Sequence, residues 1–155
     1  MCSYGAWAEP PRPLGYTGSM PAGGFEELEH TADWALSVRG RDLAELFLNA
    51  ANGMMELAGV RTSSAAGPET RLELASPDRE TLLVDWLQEL LLALELRRVA
   101  FTQIRLKVTG DRGLVATFRE VPLISMAKPI KAVTYNELDI IEGPEGLSAT
   151  IVFDV

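Results

Sequence analysis

The chain has 155 residues, 47% hydrophobic and 23% charged, the proportions of one folded domain able to enclose a single core. Its formal net charge of −8 repels a phosphate backbone and argues against direct nucleic-acid binding. With Cys2 the only cysteine and His30 the only histidine, neither an internal disulfide nor a Cys/His zinc site can be assembled, and a reducing, cytoplasmic setting is expected.

Residues 1–24 carry Pro10, Pro11, Pro13 and Pro21 among several glycines, without hydrophobic periodicity. They also lack the basic and apolar regions of a secretory signal. A disordered N-terminal extension is the expectation, with Met20 an alternative start. The apolar run Leu90–Leu94 is far shorter than the ~20 residues needed to cross a bilayer, so no membrane association is expected.

Order should begin at Phe25, where FEELEH reads as a short strand. Trp34, Leu36 and Val38 then alternate with Ala35, Ser37 and Arg39, the period of a half-buried strand that Gly40 ends. Asp42 and Glu45 have the spacing of a capping box. Leu43, Leu46, Phe47, Ala50, Met54 and Leu57 follow as a helical stripe that stops at Gly59. Arg61 to Pro68 reads as a small-polar loop, and Arg71 to Leu74 as a short strand.

A second helix is expected with Ser76 as N-cap and Pro77 at its first position. Leu82, Leu83, Trp86, Leu87, Leu90, Leu91 and Leu94 make its wide apolar face, with Asp85, Gln88, Glu89 and Glu95 on the polar side. The rest is β. Ile104, Leu106 and Val108 alternate with polar residues, and Gly110 to Gly113 turns into Leu114, Ala116 and Phe118. Lys131 to Ile141 is rich in β formers. Gly143 to Gly146 is a tight connection into a last strand, where Leu147, Ala149, Ile151 and Phe153 alternate with Ser148, Thr150, Val152 and Asp154. The order ββαβα followed by a run of strands is α+β, with a mixed or antiparallel sheet packed against two helices.

Common catalytic and nucleotide-binding fingerprints are missing: there is no phosphate-cradling glycine loop and no nucleophile elbow. Asp85 and Glu89, one helical turn apart, read as a solvated face rather than a carboxylate pair. His30 reads first as a structural hydrogen-bonding residue.

Three stretches nevertheless resemble the archease family. They are Leu28-Glu-His-Thr-Ala-Asp33 with the strand and helix that follow, Leu82 to Leu91, and Lys131-Ala-Val-Thr-Tyr135 together with the ending Val152-Phe-Asp-Val155. The resemblance covers residues 25–155 as one archease-like domain. It implies a non-enzymatic accessory protein for RtcB-type ligases, which join RNA ends bearing a 3′-phosphate or 2′,3′-cyclic phosphate in tRNA splicing and RNA repair. The accessory promotes guanylylation of the ligase, restores its turnover and broadens its nucleotide use.

The resemblance also implies a divalent-metal site whose ligands would be Asp33, Asp154 and the terminal Val155. Such oxygen donors favour Ca²⁺, Mg²⁺ or Mn²⁺ over zinc. His30 would orient Asp33, and Lys131 would meet a phosphate or a partner carboxylate. Asn136 departs from the family, which often has His after the VTY motif. Arg119 to Pro129 looks like a shortened, more apolar loop, either packed on the sheet or presenting Val121, Pro122, Leu123, Ile124 and Met126 to a partner. Two other functions fit the composition less well: a metal-dependent phosphoesterase or nuclease using the same carboxylates, and a chaperone-like binding module.

Overall fold

The structure is a computed structural model that describes residues 24–29, 33–65 and 67–155; the side chains of residues 27–29 and 33 are outside that description. The expectation of a disordered extension therefore falls almost wholly on residues outside it.

The elements run β1 (Phe25–Glu29), β2 (Asp33–Gly40), α1 (Leu43–Leu57), β3 (Val60–Thr62), β4 (Glu69–Ala75), α2 (Arg79–Leu92), a π-helical turn (Ala93–Arg97), β5 (Val99–Thr109), β6 (Gly113–Met126), β7 (Ala132–Val133), β8 (Ile141–Gly143) and β9 (Gly146–Asp154). Every strand pairing among the described residues is antiparallel. One sheet has the order β1-β2-β9-β7, with β8 also paired to β9. In the other, β3, β4 and β5 all pair with the long β6. This is the α+β class expected.

Both helices pack against strands of both sheets. Leu36, Ile151 and Phe153 of the first sheet, Leu46, Phe47 and Met54 of α1, Leu83, Trp86 and Leu90 of α2, and Phe101 and Phe118 of the second sheet form one buried core. Phe101 and Phe118 stack with centroids 3.7 Å apart. The buried Trp86 indole donates to the Phe47 carbonyl at 3.1 Å, tying α2 to α1.

Helix α1 starts as its sequence dictates: the Asp42 carboxylate accepts the Glu45 amide at 2.8 Å. The reciprocal bond of a capping box is displaced by one residue, because Glu45 accepts from the Arg41 amide at 2.7 Å. At the other end Gly59 takes φ +66°, a conformation that suits glycine.

Several boundaries differ from the sequence reading. Asp78, not Ser76, caps α2, accepting the Thr81 amide at 2.8 Å. The buried Ser76 hydroxyl instead donates to Asp85 at 2.6 Å, so Asp85 braces the start of α2 rather than facing solvent alone. Val60–Thr62 is a strand that overlaps the start of the expected loop. Residues 119–126 are no loop either: they continue β6, with Val121 buried and Ile124 exposed. Conversely, only Ala132–Val133 and Ile141–Gly143 of the β-rich stretch form strands. Val152, which the alternation turns away from the core, is also buried.

Candidate metal centre

The long strands β2 and β9 pair along their whole length, from Gly40 opposite Leu147 to Asp33 opposite Asp154. The apolar period of each strand sets this register, since a slip of one residue would turn Leu36, Val38, Ile151 and Phe153 out of the core. A consequence of that packing is that two aspartates meet at the end of the sheet. Asp154 is exposed and Val155, the next residue, is half-buried against the core.

The third strand at this end is β7. Ala132 lies opposite Asp154, and the Lys131 amide donates to the Asp154 carbonyl at 2.7 Å. The backbone thus brings Asp33, Asp154 and Lys131 to one sheet end. Next to it, the Lys128 ammonium lies 5.2 Å from the centre of the Trp34 ring, and the Lys128 amide is anchored on the Ala58 carbonyl at 2.9 Å. The sequence does not single out Lys128, and nothing short of the folded turn after β6 places its ammonium at Trp34, the residue after Asp33.

His30 lies outside the described residues, as does the side chain of Asp33. Among the described residues no group of three or more His, Cys, Asp or Glu side chains comes together. The donors that the resemblance implies here would be the carboxylates of Asp33 and Asp154, residues on opposed strands, with the oxygens of Val155. That set matches part of the oxygen shell of a hard cation, which keeps waters in its remaining positions. It does not match zinc, which takes nitrogen and sulfur.

Fold and sheet end together define a class: small α+β proteins in which two helices pack on antiparallel sheets and an aspartate pair closes the contact between an early and the last long strand. A family model described as the Archease protein family matches residues 25–155, and the chain belongs to that family. It is 36% identical over 147 residues to Protein archease of Methanosarcina acetivorans, covering 88% of this chain and 100% of the relative. To Protein archease of Methanosarcina barkeri it is 34% identical over 140 residues, covering 84% and 95%.

Two solved structures share the fold. The crystal structure from Thermotoga maritima, described as an archease and possible chaperone, superposes with a TM-score of 0.64 at 27% identity, covering 84% of this chain and 96% of that one. The solution structure of a Methanobacterium thermoautotrophicum protein gives a TM-score of 0.64 at 31% identity, covering 86% and 99%.

Proposed function

We propose that the chain activates an RtcB-type tRNA-splicing and RNA-repair ligase in the cytoplasm, promoting its guanylylation and multiple turnover while joining no RNA itself. The observation that carries this reading is the register of β2 on β9, which sets Asp33 opposite Asp154 at the end of the sheet. In a chain of the archease family, those are the positions at which the resemblance implies metal ligands.

Asp33, Asp154 and the oxygens of Val155 hold a hard divalent cation, Ca²⁺, Mg²⁺ or Mn²⁺. Such an ion offsets the negative charge of nucleotide phosphates. The protein's own part is to set the two aspartates opposite each other on paired strands before the ion arrives. Lys131, whose amide is bonded to the Asp154 carbonyl, meets a phosphate oxygen or a carboxylate of the ligase. The net charge of −8 favours a protein partner over RNA.

The test is product formed per ligase molecule over time, with GTP and Mn²⁺, using the RtcB-type ligase from the same genome. Substoichiometric addition should convert single-turnover joining into multiple turnover, and the protein alone should neither join nor cleave RNA. Unchanged ligase turnover would end the activator reading. Metal-dependent RNA cleavage by the protein alone would establish the phosphoesterase alternative in its place.

A further inference from the structure

The segment that links β7 to β9 starts at the candidate metal centre and runs back along the side of the first sheet. Thr134 holds the Val152 carbonyl through its amide and its hydroxyl, both at 3.0 Å. Further on, Ile141 lies opposite Ser148. The segment is fastened to the body at several points. The Ile140 amide donates to Glu80 at 3.0 Å and the Ile140 carbonyl accepts from Arg79 at 2.8 Å. Ile140 is buried and Leu138 packs against the core. The Asn136 amide donates to the Thr134 hydroxyl, and the Leu138 amide to the Tyr135 carbonyl. Glu137 is held between them at φ +58°, a strained conformation for a residue with a side chain.

This well-anchored segment nevertheless leaves two large apolar side chains in water, Tyr135 at 56% and Ile141 at 57% exposure. The charged residues between and after them in this segment are all acids. Residues 132–155 contain five acidic residues and no lysine or arginine, so five of the chain's eight net negative charges fall on this stretch. Glu142 is paired with Arg79 at 3.5 Å. The side chains of Glu137, Asp139 and Glu145 have no ion-pair or hydrogen-bond partner among the described residues.

From this we infer that the segment from Tyr135 to Glu145, with Tyr135 and Ile141 exposed and Glu137, Asp139 and Glu145 spaced along it, forms a docking surface for a positively charged protein face. Charge selects the occupant. RNA, an anionic membrane and a second copy of this chain would all bring negative charge against it, whereas a lysine- and arginine-rich protein surface is attracted. Fixed aromatic and aliphatic side chains supply contact area at little ordering cost, and the acids of the segment steer the encounter. The inference rests on the ligase reading above, because the surface is continuous with the sheet end that carries Asp154. An enzyme that binds nucleotide and RNA phosphates has the basic surface it requires.

The experiment measures binding of the full chain to the purified RtcB-type ligase by biolayer interferometry, between low and moderate NaCl. The triple variant Glu137→Lys, Asp139→Lys, Glu145→Lys should bind at least roughly tenfold more weakly at low salt and lose most of the wild-type salt dependence. Tyr135→Ala should weaken binding by roughly tenfold through faster dissociation, and Tyr135→Phe should restore it. Mn²⁺ titration of each variant without ligase should match wild type, which separates this surface from the metal centre and confirms folding. If wild type binds the ligase and the triple and Tyr135→Ala variants bind equally well, the surface assignment is overturned while the activator reading stands. If wild type does not bind the ligase at any salt concentration, both fall.

Discussion

Asp33 and Asp154 face each other across β2 and β9, each the other's register partner. Their strands are bound by the apolar residues between them and the core, so the pairing follows from packing and needs no ion to form it. A site built this way should bind metal without refolding. Mn²⁺ or Ca²⁺ calorimetry should show binding by wild type, and affinity at least roughly tenfold lower for Asp33→Ala and for Asp154→Ala, with thermal midpoints in metal-free buffer close to wild type. Equal binding by wild type and Asp33→Ala would remove Asp33 from the site.

The chain end offers a second, independent check. Val155 follows Asp154 directly and packs against the core, and the proposed site takes its carboxylate as a further oxygen donor. Extending the chain by one glycine past Val155 turns that carboxylate into an amide and should weaken Mn²⁺ binding in the same assay. An extended chain with wild-type affinity would exclude the terminal carboxylate as a ligand.

What the sequence shows of this fold follows from how local each signal is. The Asp42 cap, the stop at Gly59 and the apolar stripes of both helices lie within a few residues of their effects, and they are present as read. The sequence puts the cap of α2 two residues early because Ser76 and Asp78 both carry suitable oxygens. The choice fell to Asp85, a helical neighbour that takes the Ser76 hydroxyl for itself. The far half of β6 reads as a loop because its pairing is remote in sequence: Val121 is covered only once Ala100 of β5 lies opposite it. The candidate site was readable as residue types through the family resemblance alone, and the antiparallel register of β2 on β9 is what brings Asp33 to Asp154.

The junction of the two helices predicts a stability effect. Inside the core, Trp86 gives its indole N–H to the Phe47 carbonyl. Trp86→Phe keeps most of the apolar contact but deprives that carbonyl of the donor, and should destabilise the fold by about 1–3 kcal/mol. Urea unfolding with a common slope for both proteins measures it. A loss well under half a kcal/mol would mean that the carbonyl finds another donor.

Acid should weaken the start of α2. The Thr81 amide, and after it the Thr81 side chain, hold the Asp78 carboxyl below its ordinary value of 3.8. A carboxyl with a folded pKa below its unfolded one stabilises the protein above the ordinary aspartate range, and that contribution is lost as pH falls through the folded value. Asp78→Asn retains an accepting oxygen but cannot titrate. Its stability should therefore fall less steeply than wild type below about pH 4, read as urea midpoints across the acid range. Parallel curves would show that the cap does not titrate in this window. Glu45, lowered first by the Arg41 amide, acts in the same direction and remains in both proteins.

The final prediction concerns whether the two aspartates act as one unit in activating the ligase. If Asp33 and Asp154 hold the same ion, removing either carboxylate removes the site, and removing the second costs little more. Ligated product per ligase molecule should fall to the unassisted level with Asp33→Ala and with Asp154→Ala. The double variant should be no worse than the singles. Binding to the ligase at low salt should survive in all three, because Tyr135, Ile141 and the acids of their segment are untouched. If the losses instead multiply, the two residues serve separate functions, Asp33 or Asp154 contacting the ligase directly. If Asp154→Ala activates as well as wild type while failing to bind Mn²⁺, metal at this sheet end plays no part in activation.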